Sequence, residues 1–173
     1  MIAAVRGGAD LDIRYLAFSL DQVHVEEGET PVWERAPDAW GTGVLALLYG
    51  IACRDRFPEQ FLDVHLALFR ARHEQGQKLE QEDVLRAAVA SAGLDPDAVA
   101  AEVWSGDPLK TLAAEHTEAV DGWGVFGVPT YIEGDQAAFV RCMERGLVED
   151  VERVLDLLSW ASLNEFKRPT IPR

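Results

Sequence analysis

Between residues 38 and 121 the apolar side chains recur at helical spacing, whereas the stretches on either side alternate with a period of two, and few folds accommodate that order. Trp40, Val44, Leu47, Leu48 and Ile51 fall on one helical face. Pro58 opens a second helix carrying Phe61, Leu62, His65, Leu68 and Phe69, which Gly76 ends. Residues 80–92 make a third, stopped by Gly93. Residues 95–104 make a fourth, with Asp95 as N-cap and Pro96 at the first helical position, and residues 107–120 a fifth, where Asp107-Pro108 repeats that cap. Ahead of this block, Leu11, Ile13 and Tyr15 alternate with Asp12 and Arg14 before the run turns apolar through Ala17 and Phe18, so residues 11–20 read as a strand entering a core. Residues 21–37 form a polar loop with Gly28, Pro31 and Pro37, pinned by Trp33 and Trp40, and loops of such length often carry function. After the block, residues 128–133 and 136–141 flank Gly134-Asp135 as a hairpin, and residues 148–160 close the chain as a helix burying Val151, Val154, Leu155 and Leu158. No internal repeat or linker divides the sequence, so residues 1–173 read as one domain with a helical insertion at about 38–121.

Charge narrows the function. A formal net charge of -14 repels phosphate backbones and anionic lipid alike, and the basic residues are scattered among acidic helices, so neither nucleic acid nor a membrane surface is an expected partner. The longest apolar run, residues 44–53, is about half the ~20 residues a spanning helix needs. With Met1 taken as the start, no secretory signal is present and a cytoplasmic location is expected. Cys53 and Cys142 have no nearby second thiol and make no disulfide framework. Cys53 sits on an apolar helical stretch, as a buried small hydrophobe does, and no flanking histidine activates Cys142. His24, His65, His73 and His116 form no ligand cluster, since His65 and His73 lie about 12 Å apart along one helix, and no metal is expected. His116, just before a glycine-rich loop, could face a site, but reads first as a surface or packing histidine.

That loop, Gly122-Trp123-Gly124-Val125-Phe126-Gly127, satisfies the G-x-G-x-x-G pattern of dinucleotide sites, but it follows a helix and opens a strand, the reverse of a nucleotide fingerprint. It leads into Val128-Pro129-Thr130-Tyr131. A proline here removes an N–H and sets a sharp turn, leaving the preceding residue's backbone facing outward. With the strand ending Ala17-Phe18-Ser19-Leu20, the helical insertion, the hairpin and the last helix, this Gly-Val-Pro-Thr loop resembles the DsbA-like branch of the thioredoxin superfamily over the whole chain. The tail Ala161-Ser162-Leu163-Asn164-Glu165-Phe166-Lys167-Arg168 is similar to that of actinobacterial members that include mycothiol-dependent reductases.

The resemblance implies an α/β, thioredoxin-like fold with an all-helical insertion. It also implies thiol-disulfide exchange, in which Val128 offers its backbone to the substrate, Pro129, as a cis-proline, shapes the loop and Thr130 begins the strand behind it. Phe18, Trp33 and Trp123 are candidates to line an apolar substrate groove, though each reads first as a core-packing residue. The implied partner is a peptide or protein disulfide or a small thiol. No cofactor is bound, and mycothiol or glutathione would act as co-substrate. The family's first strand and Cys-x-x-Cys segment have no counterpart before residue 11; residues 1–6 resemble the last turns of the first helix, so a truncated chain without catalytic cysteines is expected. Such a loss leaves a strand edge unpaired, at about 1 to 3 kcal/mol per buried backbone group. A redox-inactive binding module, and a glutathione-type isomerase or transferase related to chromene-carboxylate isomerases, remain the alternative readings.

Overall fold

A computed structural model describes residues 11–141, 147–160, 162 and 163. They form two compact units, one of residues 15–122 and one of the described residues on either side of it.

The larger unit is helical. α1 spans Leu20–Val23, short 3-10 turns at Val32–Glu34 and Pro37–Ala39 follow, and then come α2 (Val44–Arg56), α3 (Phe61–His73), α4 (Glu82–Ser91), α5 (Pro96–Val103) and α6 (Asp107–Trp123). α2 is the hub, packing against α3, α4 and α5 and burying Val44, Leu48, Tyr49, Ile51, Ala52 and Cys53. Leu85 from α4, Val99 and Val103 from α5 and Leu112 from α6 complete the core. Each fully buried leucine contributes roughly 1.5 to 3 kcal/mol relative to an exposed one. Capping chemistry sets one boundary as expected: the Asp95 carboxylate accepts from the Asp97 N–H at 2.9 Å, and Pro96 begins α5. Arg86 of α4 ties that start down by donating to the Pro96 carbonyl at 3.2 Å and to the Asp97 carboxylate. The Asp107 cap is corrected, because Asp107 is already helical and its N–H donates to the Ser105 hydroxyl at 3.2 Å. α2 likewise begins at Val44, six residues later than expected, since Gly41 and Gly43 weaken the preceding turn.

The largest correction concerns residues 11–20. Residues 11 to 19 form no strand, Ser19 is extended, and Leu20 opens α1, N-capped by the Ser19 hydroxyl. Exposure alternates as in a strand from Leu11 to Leu16, so the period of two in the sequence is a real feature of the folded chain. A strand needs a partner backbone as well as a pattern, and no described segment supplies one.

The smaller unit holds the hairpin. β1 (Thr130–Glu133) and β2 (Gln136–Phe139) pair antiparallel with Thr130 opposite Phe139 and Glu133 opposite Gln136, joined by a turn in which Gly134 takes φ +59°. α7 (Glu149–Ser159) packs on both strands and buries Val151, Val154 and Leu158, as its periodicity requires. Among the described residues no helix is long and apolar enough to cross a membrane. Residues 1–6, Cys142 and most of the tail from residue 161 lie outside the described residues.

Candidate functional site

In the smaller unit, α6 ends at Trp123, Gly124 adopts φ +63°, and the chain runs through Phe126 and Gly127 into a cis Val128–Pro129 peptide bond and then β1. The context that excluded a nucleotide fingerprint is therefore the one observed. The Thr130 hydroxyl donates to the Gly127 carbonyl at 2.7 Å and closes the loop on itself. The Val140 N–H donates to the Pro129 carbonyl at 3.2 Å, which makes residues 129 and 140 a hydrogen-bonded pair. In an antiparallel ladder such pairs alternate, so the peptide groups of Thr130 and Ile132 point to the opposite edge of β1. Among the described residues that edge carries no further strand. Val128 is 42% exposed, with no hydrogen bond from its backbone to any described residue, and Phe126 beside it is 67% exposed. The Phe126 ring packs on Phe139, 5.2 Å between centroids, and the Arg141 guanidinium lies 5.6 Å from the Phe139 ring centre. Val128 and Pro129 thus form an exposed bend that leads into Thr130, where the open edge of β1 begins and another extended chain could pair.

In the larger unit, three side chains occupy the place of a neighbouring strand along residues 15–19. Arg54 donates to the Tyr15 carbonyl at 2.6 Å, the Ala17 N–H donates to Glu115 Oε2 at 2.7 Å, and the Ser19 N–H donates to His116 Nδ1 at 3.2 Å. Residues two apart present their peptide groups to the same edge, so one edge is satisfied by α2 and α6. The peptide groups of Leu16 and Phe18 face the other way, and no described residue bonds them. Arg54 and Glu115 also form a two-pronged ion pair, 2.9 Å at each contact. Burial works against the Arg54 charge, but the Asp55 and Glu115 carboxylates outweigh it and raise its pKa. Glu115 is 7% exposed and His116 5%.

Phe18 and Trp33 both pack on His116, at 4.4 and 5.5 Å between ring centroids, while Trp123 belongs to the other unit. Of the remaining histidines, His24 bonds the Leu20 carbonyl, and His65 and His73 line one face of α3 with Phe61 and Phe69. The sequence alone does not single out Arg54 or Glu115. A signal for them is present nonetheless, because Leu112, Glu115, His116 and Ala119 share one face of α6, and a Glu-His pair on an apolar face requires partners. Cys53 is fully buried, and burial pushes its thiol up to about 12. A thiol in that state is neither a nucleophile nor accessible. Among the described residues no three His, Cys, Asp or Glu side chains come together as a metal site.

A family model described as DSBA-like thioredoxin domain matches residues 46–146, more than half of the chain. No curated protein matches it.

Proposed function

This chain belongs to the DsbA-like thioredoxin domain family, and from that premise we propose that it serves thiol-disulfide exchange by holding an extended substrate along Val128, Pro129 and Thr130. The observation that carries this reading is exposed Val128, whose backbone bonds no described residue, in the bend just before the open edge of β1 and flanked by the exposed Phe126 ring. An extended peptide laid there exchanges backbone hydrogen bonds with Val128, while its side chains rest on Phe126 and Phe139. Bound so, a substrate disulfide is held for attack. An incoming thiolate forms a bond to one substrate sulfur, and the other sulfur leaves as thiolate. Cys53 is unfit for that attack, so another thiol supplies the attacking thiolate, with mycothiol or glutathione as the co-substrate that restores it. A reducing compartment such as the cytoplasm suits this chemistry.

The test uses a short apolar peptide bearing an S-methylated cysteine, which binds without exchange. Its addition is expected to shift the backbone NMR signals of Val128 and Thr130. N-methylation of the peptide residue that faces Val128 is expected to weaken binding roughly tenfold, the equivalent of one lost hydrogen bond of about 1.4 kcal/mol. Shifts confined to the helical unit, or indifference to N-methylation, would sink the proposal.

A redox-inactive binding module is the second reading, favoured by the burial of Cys53. The intact mass of the protein in its source cells separates the two. A mass well above 19.1 kDa accommodates a dithiol segment, whereas 19.1 kDa leaves binding without turnover.

A further inference from the structure

His116 accepts one backbone N–H, and further contacts lead on from it. Its Nδ1 accepts from Ser19, which requires an unprotonated Nδ1 and places the ring proton on Nε2. Ser19 in turn caps α1 through its hydroxyl, which accepts from the Gln22 N–H at 3.2 Å. Two α1 side chains then hold both parts of the long connection to α2: Gln22 Oε1 accepts from the Val32 N–H at 2.8 Å, and Asp21 Oδ2 accepts from the Gly43 N–H at 3.3 Å. The connection passes close enough to Asp21 that a Cβ on Gly41 would collide with its carboxylate. Trp33, midway along it, packs on the His116 ring itself. One acceptor nitrogen therefore stands at the root of the contacts that fix residues 19–43.

We propose that His116 is a proton-sensitive latch: protonation of Nδ1 releases the Ser19 N–H and frees α1 and the connection to α2 while the helical core stays folded. A protonated ring has donors at both nitrogens, so the Ser19 N–H would face another N–H at a buried position. The groups around the ring offer the added charge no partner. On α6, Glu115 is committed to Arg54 and to the Ala17 N–H. On α2, Arg54 is itself cationic and held by Glu115 and Asp55. The extended segment contributes the Phe18 ring and the Ser19 peptide, and the 3-10 turn contributes the Trp33 ring next to Glu34, whose side chain is exposed. Burial lowers the pKa of His116 from its ordinary value, in keeping with a neutral ring in the latched form.

Hydrogen exchange on the full chain between pH 7.5 and 5.0, corrected for the intrinsic pH dependence of exchange, tests the latch. Protection of residues 19–24 is expected to fall by up to about tenfold per pH unit below about 6.5, the ordinary histidine value, while α4 in the same unit keeps its protection. His116→Asn keeps an acceptor oxygen without a titrating group, so its protection should be flat across this range. His116→Phe should be unprotected throughout. Equal loss in α4, a flat wild-type profile, or a decline in His116→Asn as steep as in the wild type would overturn the latch. Should the variants fail to fold, the wild-type ring decides by NMR: titration at or above 6.5, or a proton on Nδ1 at neutral pH, refutes it.

Discussion

Replacing Glu115 with alanine removes one carboxylate that performs two tasks: it accepts the Ala17 N–H and it balances the Arg54 guanidinium. The side chains of the pair are 9% and 18% exposed, so water replaces little of what is lost. Breaking a buried pair by deleting one member costs about 3 to 5 kcal/mol, because a charge is left without its partner. Asp55 still bonds Arg54, which draws the expectation to the lower end, while the orphaned Ala17 N–H adds about 1 to 3 kcal/mol. The combined loss comes to about 4 kcal/mol, a large share of a typical stability of roughly 5 to 15 kcal/mol. Urea unfolding followed by far-ultraviolet circular dichroism gives the number directly. Arg54→Met should cost about as much, and the Glu115→Ala, Arg54→Met double variant should fall short of the sum by at least about 2 kcal/mol, since no charge is then left alone. A single-variant loss under about 1 kcal/mol, or strict additivity, would refute the claim that this pair substitutes for a strand along residues 15–19.

Burial lowers the pKa of both His65 and His116, so the unfolded chain takes up protons near pH 6.5 that the folded chain refuses. Their contribution to stability is thus complete above about pH 6.5 and declines below it, by up to about 1.4 kcal/mol per pH unit for each ring until its folded-state pKa is reached, which urea midpoints at pH 7.5 and 5.5 will register. Cys53 should resist alkylation in the native protein at pH 8 and react only in denaturant, as mass spectrometry of labelled peptides will show. Leu85→Ala, at a fully buried position where α4 meets the core, should cost about 2 to 5 kcal/mol by urea unfolding.

Much of this protein is legible along the chain. The helices, the hairpin and its turn, and the Val128-Pro129-Thr130 loop arise from local rules: spacing of apolar residues, proline and aspartate at a helix start, glycine at a turn. Those rules act over a few residues and need no knowledge of what lies across the core. Boundaries drift where two local signals compete, as at Pro58, which stands in a turn while the helix waits until Phe61. The same holds at Asp107, where Ser105 supplies the capping hydroxyl instead.

The sequence by itself determined the longer helices, the hairpin, and which family's loop stands before it, because periodicity and turn chemistry are written in neighbouring residues. The tertiary structure alone decided the fate of residues 11–19. Whether an extended segment becomes a strand depends on the backbone brought beside it, and here the groups brought beside it are Arg54, Glu115 and His116, from helices that lie 39 to 98 residues away in the chain. Hydrogen bonds over such separations leave no periodic trace in the sequence. They exist only because packing of α2 and α6 sets the three side chains at the spacing of a strand edge.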